Sequence, residues 1–130
     1  MSQKGILVAG ALLGALGVMI GAFGAHGLAA ILESHNRVDT FETAVKYHMY
    51  HALALLLTGV LLFHIPARPL RLAGSFFSIG ILIFAGSLYV LCLTNITWLG
   101  AITPIGGLFM IAGWLSLGHG IFHYWPVKTV

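Results

Sequence analysis

The chain has 130 residues, of which 59% are hydrophobic and only 7% are charged. Ordinary soluble domains contain roughly 25% charged residues, so this composition excludes a soluble protein and predicts one that lies in a bilayer. The formal charge of +3 does not indicate nucleic-acid binding, because the six Lys and Arg residues are scattered and a phosphate-binding surface needs them clustered. The single cysteine, Cys92, excludes an intramolecular disulfide and a thiolate-cluster metal site.

Four apolar segments follow one another along the chain, and a helix needs about 20 such residues to cross the hydrocarbon core. They predict helices at about 5–27, 40–64, 72–93 and 98–122. The first uncharged run extends from Gly5 to Leu32, longer than the core of a signal peptide, so we interpret it as a retained span and a short amphipathic segment. The fold class predicted is all-α: one transmembrane domain over residues 1–130, a four-helix bundle with short loops.

The basic residues of the loops predict the orientation, because Lys and Arg are enriched on the cytoplasmic side. With the N-terminus inside, four basic residues face the cytoplasm and two face out, namely Lys4, Arg68, Arg71 and Lys128 against Arg37 and Lys46. Both termini are therefore predicted to be cytoplasmic.

Glycines are regularly spaced in the first and last helices, and small residues let helices approach closely in lipid. In helix 1 the glycines are spaced 4-3-4-3, at Gly10, Gly14, Gly17, Gly21 and Gly24. In helix 4 they are seven residues apart, at Gly106, Gly113 and Gly120. The spacing predicts a glycine-rich packing face that makes helix 1 the central packing element. The same face suits packing within one chain or between copies of it.

Polar side chains fall near the outer end of all four helices when depth is counted at about 1.5 Å per residue. They are His26, Tyr47, His51, Ser87, Tyr89 and Thr103. Intramembrane polar groups are costly and call for an explanation. One interpretation is a hydrogen-bonded network that fixes the register of the helices; another is a site for a small molecule, a lipid headgroup or a quinone.

A metal site is the third interpretation of this region. His48 and His51 are three residues apart on one helix face, and His26 supplies a further imidazole. Against it, zinc normally has four ligands, and no carboxylate is placed to orient these rings. The sequence leaves the cofactor unknown.

Pro104 stands in the segment Ile102–Gly107, near the predicted start of helix 4. A proline inside a helix removes one hydrogen bond and bends the axis, which would open space beside the polar residues. Alternatively, the helix starts later, Pro104 lies in its first turn and there is no kink.

Four segments carry a family resemblance: residues 21–28 (GAFGAHGL), 47–56 (YHMYHALALL), 84–89 (FAGSLY) and 102–107 (ITPIGG). They resemble, in order, the signature segments of the bacterial family catalogued as domain of unknown function 423, an uncharacterised UPF-type family with a eukaryotic transmembrane relative. The resemblance implies a multi-pass inner (plasma) membrane protein and no particular activity. His48 departs from the family, which more often has glutamine there; this weakens a metal site and leaves His26 and His51 as the motif-borne pair.

The functional prediction is a non-enzymatic membrane component that acts as a structural or assembly partner or as a small oligomer. No nucleophile, base and orienting group occur together in the sequence, so an enzyme is the least favoured class. The predicted partners are the lipid bilayer and either further copies of the chain or a larger membrane complex. The alternative is binding or transport of a small molecule, lipid or metal through the outer polar residues.

Overall fold

The computed structural model describes residues 1–125, which form helices and contain no strand. The helices are α1 (Gln3–Ala25), α2 (Ala29–Ser34), α3 (Val38–Leu61), α4 (Arg68–Thr94), a 3₁₀ helix (Thr97–Ala101) and α5 (Thr103–Tyr124). Lys128, which entered the orientation prediction, lies outside the described residues.

The helix ends follow local rules of chain geometry. α1 stops at Ala25 because the N–H groups of His26 and Leu28 both donate to the carbonyl of Phe23 and close a turn. α4 begins four residues earlier than predicted, with a proline in its first turn, where the missing N–H costs nothing. α5 likewise begins with Pro104 in its first turn, so the second interpretation of this proline holds and it does not kink the helix.

Three stretches of the described residues are long and apolar enough to cross a membrane, namely Gln3–Ala25, Arg68–Thr94 and Thr97–Tyr124. α3 has the required length of 24 residues but is not among them. The reason is its N-terminal half, where Lys46 and the run 47–51, with its tyrosines and histidines, lower the apolar character.

α3 and α4 form the centre of the assembly, with α1 packed on α3 and α5 packed on α4. The central packing element is therefore not α1, as the glycine spacing had predicted, but the α3–α4 pair. Phe77, Leu55 and Leu70 from these two helices are fully buried, and Ile6 is the fully buried side chain from α1. Consecutive long helices run antiparallel, so α2, the start of α3 and the end of α4 share one end of the molecule, here called the α2 end.

Glycines of the outer helices receive large side chains of the central pair. On α5, Gly106, Gly113 and Gly120 lie against Phe84, Phe77 and Leu70 of α4, so each step of seven residues on one helix matches seven on the other. On α1, Gly10, Gly17 and Gly24 lie against Leu56, Met49 and Phe41 of α3. The other two glycines of α1 differ: Gly21 approaches only Val45, and a Cβ added at Gly14 would meet no atom within 4 Å.

Candidate functional site

The predicted polar residues form separate hydrogen-bonded pairs between helices. In the half of the molecule nearer the α2 end, the hydroxyl of Ser87 on α4 lies 2.8 Å from that of Thr103 at the start of α5. Each hydroxyl also has a backbone acceptor within reach, the Phe84 carbonyl at 3.1 Å from Ser87 and the Leu99 carbonyl at 3.5 Å from Thr103, so either hydroxyl can be the donor in the bond between them. This pair fastens the end of α4 to the first turn of α5.

His51 makes the second pair and uses both ring nitrogens. Its Nδ1 is 2.7 Å from the Tyr47 carbonyl oxygen, which only accepts, so Nδ1 carries the proton. Its Nε2 therefore has a free lone pair, which accepts from the indole N–H of Trp114 on α5 at 3.2 Å. His51 is a neutral link between α3 and α5, and both nitrogens are occupied by protein groups.

His48 makes the third pair, in which Nδ1 lies 3.0 Å from the hydroxyl of Tyr89 on α4. The side chain is only 2% exposed. Its Nε2 is the one buried side-chain nitrogen or oxygen without a hydrogen-bond partner among residues 1–125. Buried polar groups are normally paired, and each exception calls for an explanation.

The two remaining residues of the predicted cluster lie at its edge. His26 is exposed and caps the end of α1. Tyr47 is 43% exposed, and its ring stacks on Phe84 and on His51, at centroid distances of 5.0 Å and 6.1 Å.

His51 lies deeper than predicted. It is 13 residues from the start of α3 and 10 from its end, or roughly 20 Å and 15 Å at 1.5 Å per residue. Its partner Trp114 is similarly central in α5. The polar residues therefore extend from the α2 end to the middle of the bundle.

The metal site, the third interpretation of the polar residues, gains no support from the structure. Within the described residues, no three His, Cys, Asp or Glu side chains are grouped so that they could hold a metal ion. His48 and His51 bond to different helices through Tyr89 and Trp114, because residues three apart on α3 face different neighbours, and His26 is not joined to them.

Sequence reasoning missed Trp114, because a tryptophan in the middle of an apolar helix looks like a lipid-facing residue. It also missed the hydrogen bonds that join the connection between α2 and α3 to the end of α4. His35 Nδ1 is 2.9 Å from the Cys92 carbonyl oxygen, and Arg37 Nε donates to Asn95 Oδ1 at 3.2 Å. The one signal in the sequence was Asn95 itself, which has a left-handed backbone at the end of α4, a conformation that asparagine tolerates.

The outer surface of the helices is apolar. Leu12 on α1 is 66% exposed, Leu115 and Phe122 on α5 are 70% and 83% exposed, and Leu82 on α4 is 66% exposed. Contiguous exposure of this kind is foreign to soluble monomers and normal for helices in lipid. Together with the three long apolar stretches, it defines a helical membrane protein.

Comparison with known proteins gives the family. A profile described as "Protein of unknown function (DUF423)" matches residues 20–107, which contain all four signature segments. A UPF0382 membrane protein of Staphylococcus haemolyticus is 47% identical over 115 residues, covering 88% of this chain and 93% of the relative. The chain belongs to this family, and the resemblance inferred from the sequence is confirmed.

Two further relatives come from distant bacteria. A UPF0382 membrane protein of Bacillus subtilis is 40% identical over 116 residues, covering 88% of this chain and 94% of the relative. One of Haemophilus influenzae is 40% identical over 112 residues, covering 86% and 89%. No solved structure matches the chain.

Proposed function

We propose that this protein is a non-enzymatic, four-span component of the bacterial inner membrane, which acts as a structural or assembly element by self-association or within a larger complex. The observation that carries the proposal is the pairing of its polar side chains. The Ser87–Thr103 and His51–Trp114 bonds join helix to helix, so these polar groups are used in packing. Such bonds fix the register of apolar helices that would otherwise slide.

The fourth span in this proposal is α3. Its contacts with α1 run from Phe41 beside Gly24 to Gly59 beside Leu7, which is nearly the whole length of both helices. A helix paired so completely with a spanning neighbour crosses the bilayer with it. The polar half of α3 is tolerated because His48 and His51 are buried against α4 and α5 and away from lipid.

Charge supports the proposed orientation with the N-terminus in the cytoplasm. The end of the molecule opposite α2 carries the N-terminal amino group, Lys4, Arg68 and Arg71, and no acidic residue among those described. At the α2 end, two basic residues are offset by three acidic ones, Glu33, Asp39 and Glu42. Basic residues concentrate on the cytoplasmic side.

The exposed side of α1 is the surface we propose for self-association. Ala11, Ala15 and Ala22 are exposed there, and Gly14 has no neighbour within 4 Å. Small residues on a lipid-facing helix allow a second helix to approach closely. The glycine spacing of α1 thus serves two purposes: Gly10, Gly17 and Gly24 contact α3, and Gly14 is free for a partner.

Native mass spectrometry of the full chain, released from lipid nanodiscs, tests the proposal. We expect an oligomer that Gly14→Leu dissociates, because leucine would hold a partner helix away. Gly118→Leu is the matched control, since Gly118 on α5 also has no neighbour within 4 Å, and it should leave the oligomer intact. A strictly monomeric protein that co-purifies with no partner would contradict the proposal.

Ligand binding through the predicted outer polar residues has less support. His51, which was to contact the ligand, has both nitrogens bonded to protein groups, and Ser87 and Thr103 bond to each other. A ligand would have to break these bonds to use the same atoms.

A further inference from the structure

A polar cavity opens at the end of the molecule opposite α2, where the start of α1 meets the connection between α3 and α4. Its volume is about 190 Å³, and it is lined by Ser2, Gln3, Leu62, Pro66 and Arg71. Leu62 and Pro66 are in the connection, and Arg71 is in the first turn of α4. The cavity thus joins three segments of the chain, and none of its lining residues is acidic.

Each polar side chain of this cavity has hydrogens to donate beyond those it uses within the described part of the chain. The Ser2 hydroxyl accepts from a backbone N–H of α1 at 3.1 Å, which does not use its own proton. The Gln3 amide donates one of its two hydrogens to a carbonyl of α3 at 3.0 Å. Arg71 has five N–H groups, of which one reaches the Pro66 carbonyl at 3.4 Å. Three donors and a fixed positive charge suit an anion with several oxygens.

The charges around the cavity are all positive, unlike those of the α2 end. Lys4 and Arg68 are exposed on the same side of the molecule as the cavity, and neither bonds to another of residues 1–125 through its side chain. At the α2 end, Lys46 is 3.2 Å from Glu42, and Arg37 donates to a side-chain amide of α4. The basic residues of the α2 end are therefore engaged within the chain, whereas those near the cavity can attract an outside anion.

The depth of the cavity indicates where that anion comes from. α1 begins at Gln3 and α4 at Arg68, and both helices are long and apolar enough to cross a membrane, so their first residues lie at the level of the lipid headgroups. From Arg71, α4 continues past Leu72 and Ile79, which are 40% and 38% exposed and offer apolar contact to an acyl chain. A phospholipid supplies both a phosphate at the headgroup level and chains below it.

The donors favour an anionic headgroup over a zwitterionic one. A guanidinium binds two phosphate oxygens at once, and basic pockets between membrane helices hold anionic headgroups. A choline headgroup would bring its own positive charge towards Lys4 and Arg68, whereas a glycerol headgroup brings hydroxyls and no charge.

We propose that this cavity binds the headgroup of an anionic phospholipid, with the phosphodiester oxygens accepting from Arg71, Ser2 and Gln3 and the acyl chains lying along the exposed side of α4. The site goes beyond the proposed structural role and does not depend on self-association, because none of its lining residues is on the exposed alanine face of α1.

Retention of lipid by the full-length protein tests the proposal. The protein is reconstituted in nanodiscs of equal parts phosphatidylglycerol and phosphatidylcholine with identical acyl chains, and the lipids that stay bound on release are identified by native mass spectrometry. Both lipids have a phosphodiester and the same chains, so they differ only in headgroup charge. We expect phosphatidylglycerol to be retained in excess.

Two variants with the same loss of charge locate the site. Arg71→Gln should reduce the phosphatidylglycerol excess at least roughly fivefold, the contribution of one basic residue near anionic lipid. Arg37→Gln removes one positive charge at the α2 end and should leave the excess unchanged. Arg71→Lys keeps the charge without the two-pronged geometry and should lie between the wild type and Arg71→Gln. Arg71 is exposed and makes one long hydrogen bond, so these variants should fold.

A soluble anion is distinguished from a lipid by adding glycerophosphoglycerol, which is the same headgroup without acyl chains. It should not displace phosphatidylglycerol, because the chains hold the lipid beside the cavity.

Three results would each overturn the proposal: no phosphatidylglycerol excess, an equal reduction in Arg71→Gln and Arg37→Gln, or displacement by the soluble headgroup. The same spectra report the oligomeric state. A monomer that retains phosphatidylglycerol would contradict self-association alone, and an oligomer without the excess would contradict the lipid site alone.

Discussion

Gly106 is the position where a single methyl group should damage the fold most clearly. A Cβ added there would lie 2.7 Å from Phe84 Cα and 2.8 Å from Phe84 Cβ, with the Phe84 backbone nitrogen closer still. Because backbone atoms cannot rotate away, α4 and α5 must separate by roughly 1 Å before the closest of these atoms reaches a normal contact of about 3.5 Å. The helices are tied together again at Ser87–Thr103, close to this point, so the strain cannot be relieved by tilting alone.

The magnitude follows from two opposing effects. Overpacking typically costs about 1–3 kcal/mol, and replacing glycine by alanine within a helix returns about 0.5–1 kcal/mol. The two ranges together allow about 0–2.5 kcal/mol, and because the clash is with backbone we expect Gly106→Ala to lower the free energy of unfolding by about 1–2 kcal/mol. The measurement is unfolding by SDS in mixed micelles, followed by circular dichroism.

Two matched substitutions test whether backbone contact is the cause. Gly118→Ala meets no atom within 4 Å and should leave stability unchanged or slightly higher. Gly17→Ala meets the flexible side chain of Met49, with Sδ at 2.5 Å and Cγ at 3.3 Å, and should fall between the other two. If Gly106→Ala and Gly118→Ala were equally stable within about 0.5 kcal/mol, the packing argument would be refuted, since that is the scatter expected for neutral substitutions.

Three further predictions concern the hydrogen bonds and the topology. Trp114→Phe keeps the aromatic packing but deprives His51 Nε2 of its donor, and should cost about 1 kcal/mol; in the His51→Ala background the same change should cost less, which a double-mutant cycle measures. Ser87→Ala removes the 2.8 Å bond between α4 and α5 and should lower the free energy of SDS unfolding by about 0.6 kcal/mol, the average for bonds between membrane helices, and by no more than about 1.7 kcal/mol. The orientation can be tested in intact cells with a membrane-impermeant maleimide, which should label Arg37→Cys and not Arg71→Cys. Both variants keep the buried native Cys92. Labelling of Arg71→Cys alone would show that the orientation is opposite to the one proposed.

The sequence predicted the helices well because their signals are local. Long apolar runs placed three of the long helices, and the apolar second half of α3 placed the fourth. The errors at their ends came from turns whose hydrogen bonds are not visible in composition. The Ser87–Thr103 pair was also within reach, since helix lengths alone bring both residues to the same end. Pro104 shows what the sequence could not decide, because a proline is compatible both with a kink inside a helix and with the first turn of one. In the structure a separate 3₁₀ helix, Thr97–Ala101, precedes α5, so Pro104 lies in the first turn of α5.

The sequence did not predict which helix each polar or small residue faces. By periodicity, the five glycines of α1 form one stripe. In the structure, the glycines seven residues apart, Gly10, Gly17 and Gly24, contact α3, whereas Gly14 between them has no neighbour within 4 Å. His48 and His51 are close in sequence, but bond to different helices. Which neighbouring helix a residue contacts depends on the crossing angles and positions of the helices, and these cannot be read from the periodicity of a single helix.

His48 and His51 stand one turn apart on α3, yet they serve different helix interfaces. Both ring nitrogens of His51 bond to protein groups, the Tyr47 carbonyl and the indole N–H of Trp114 on α5. His48 lies between α1 and α4, beside Gly17 and bonded to Tyr89, and its buried Nε2 has no hydrogen-bond partner among the described residues. His51→Leu should therefore lower the free energy of unfolding more than His48→Leu, because it removes two hydrogen bonds and leaves the Trp114 N–H without an acceptor; equal losses in SDS unfolding would show that the bonds of His51 add nothing to its packing.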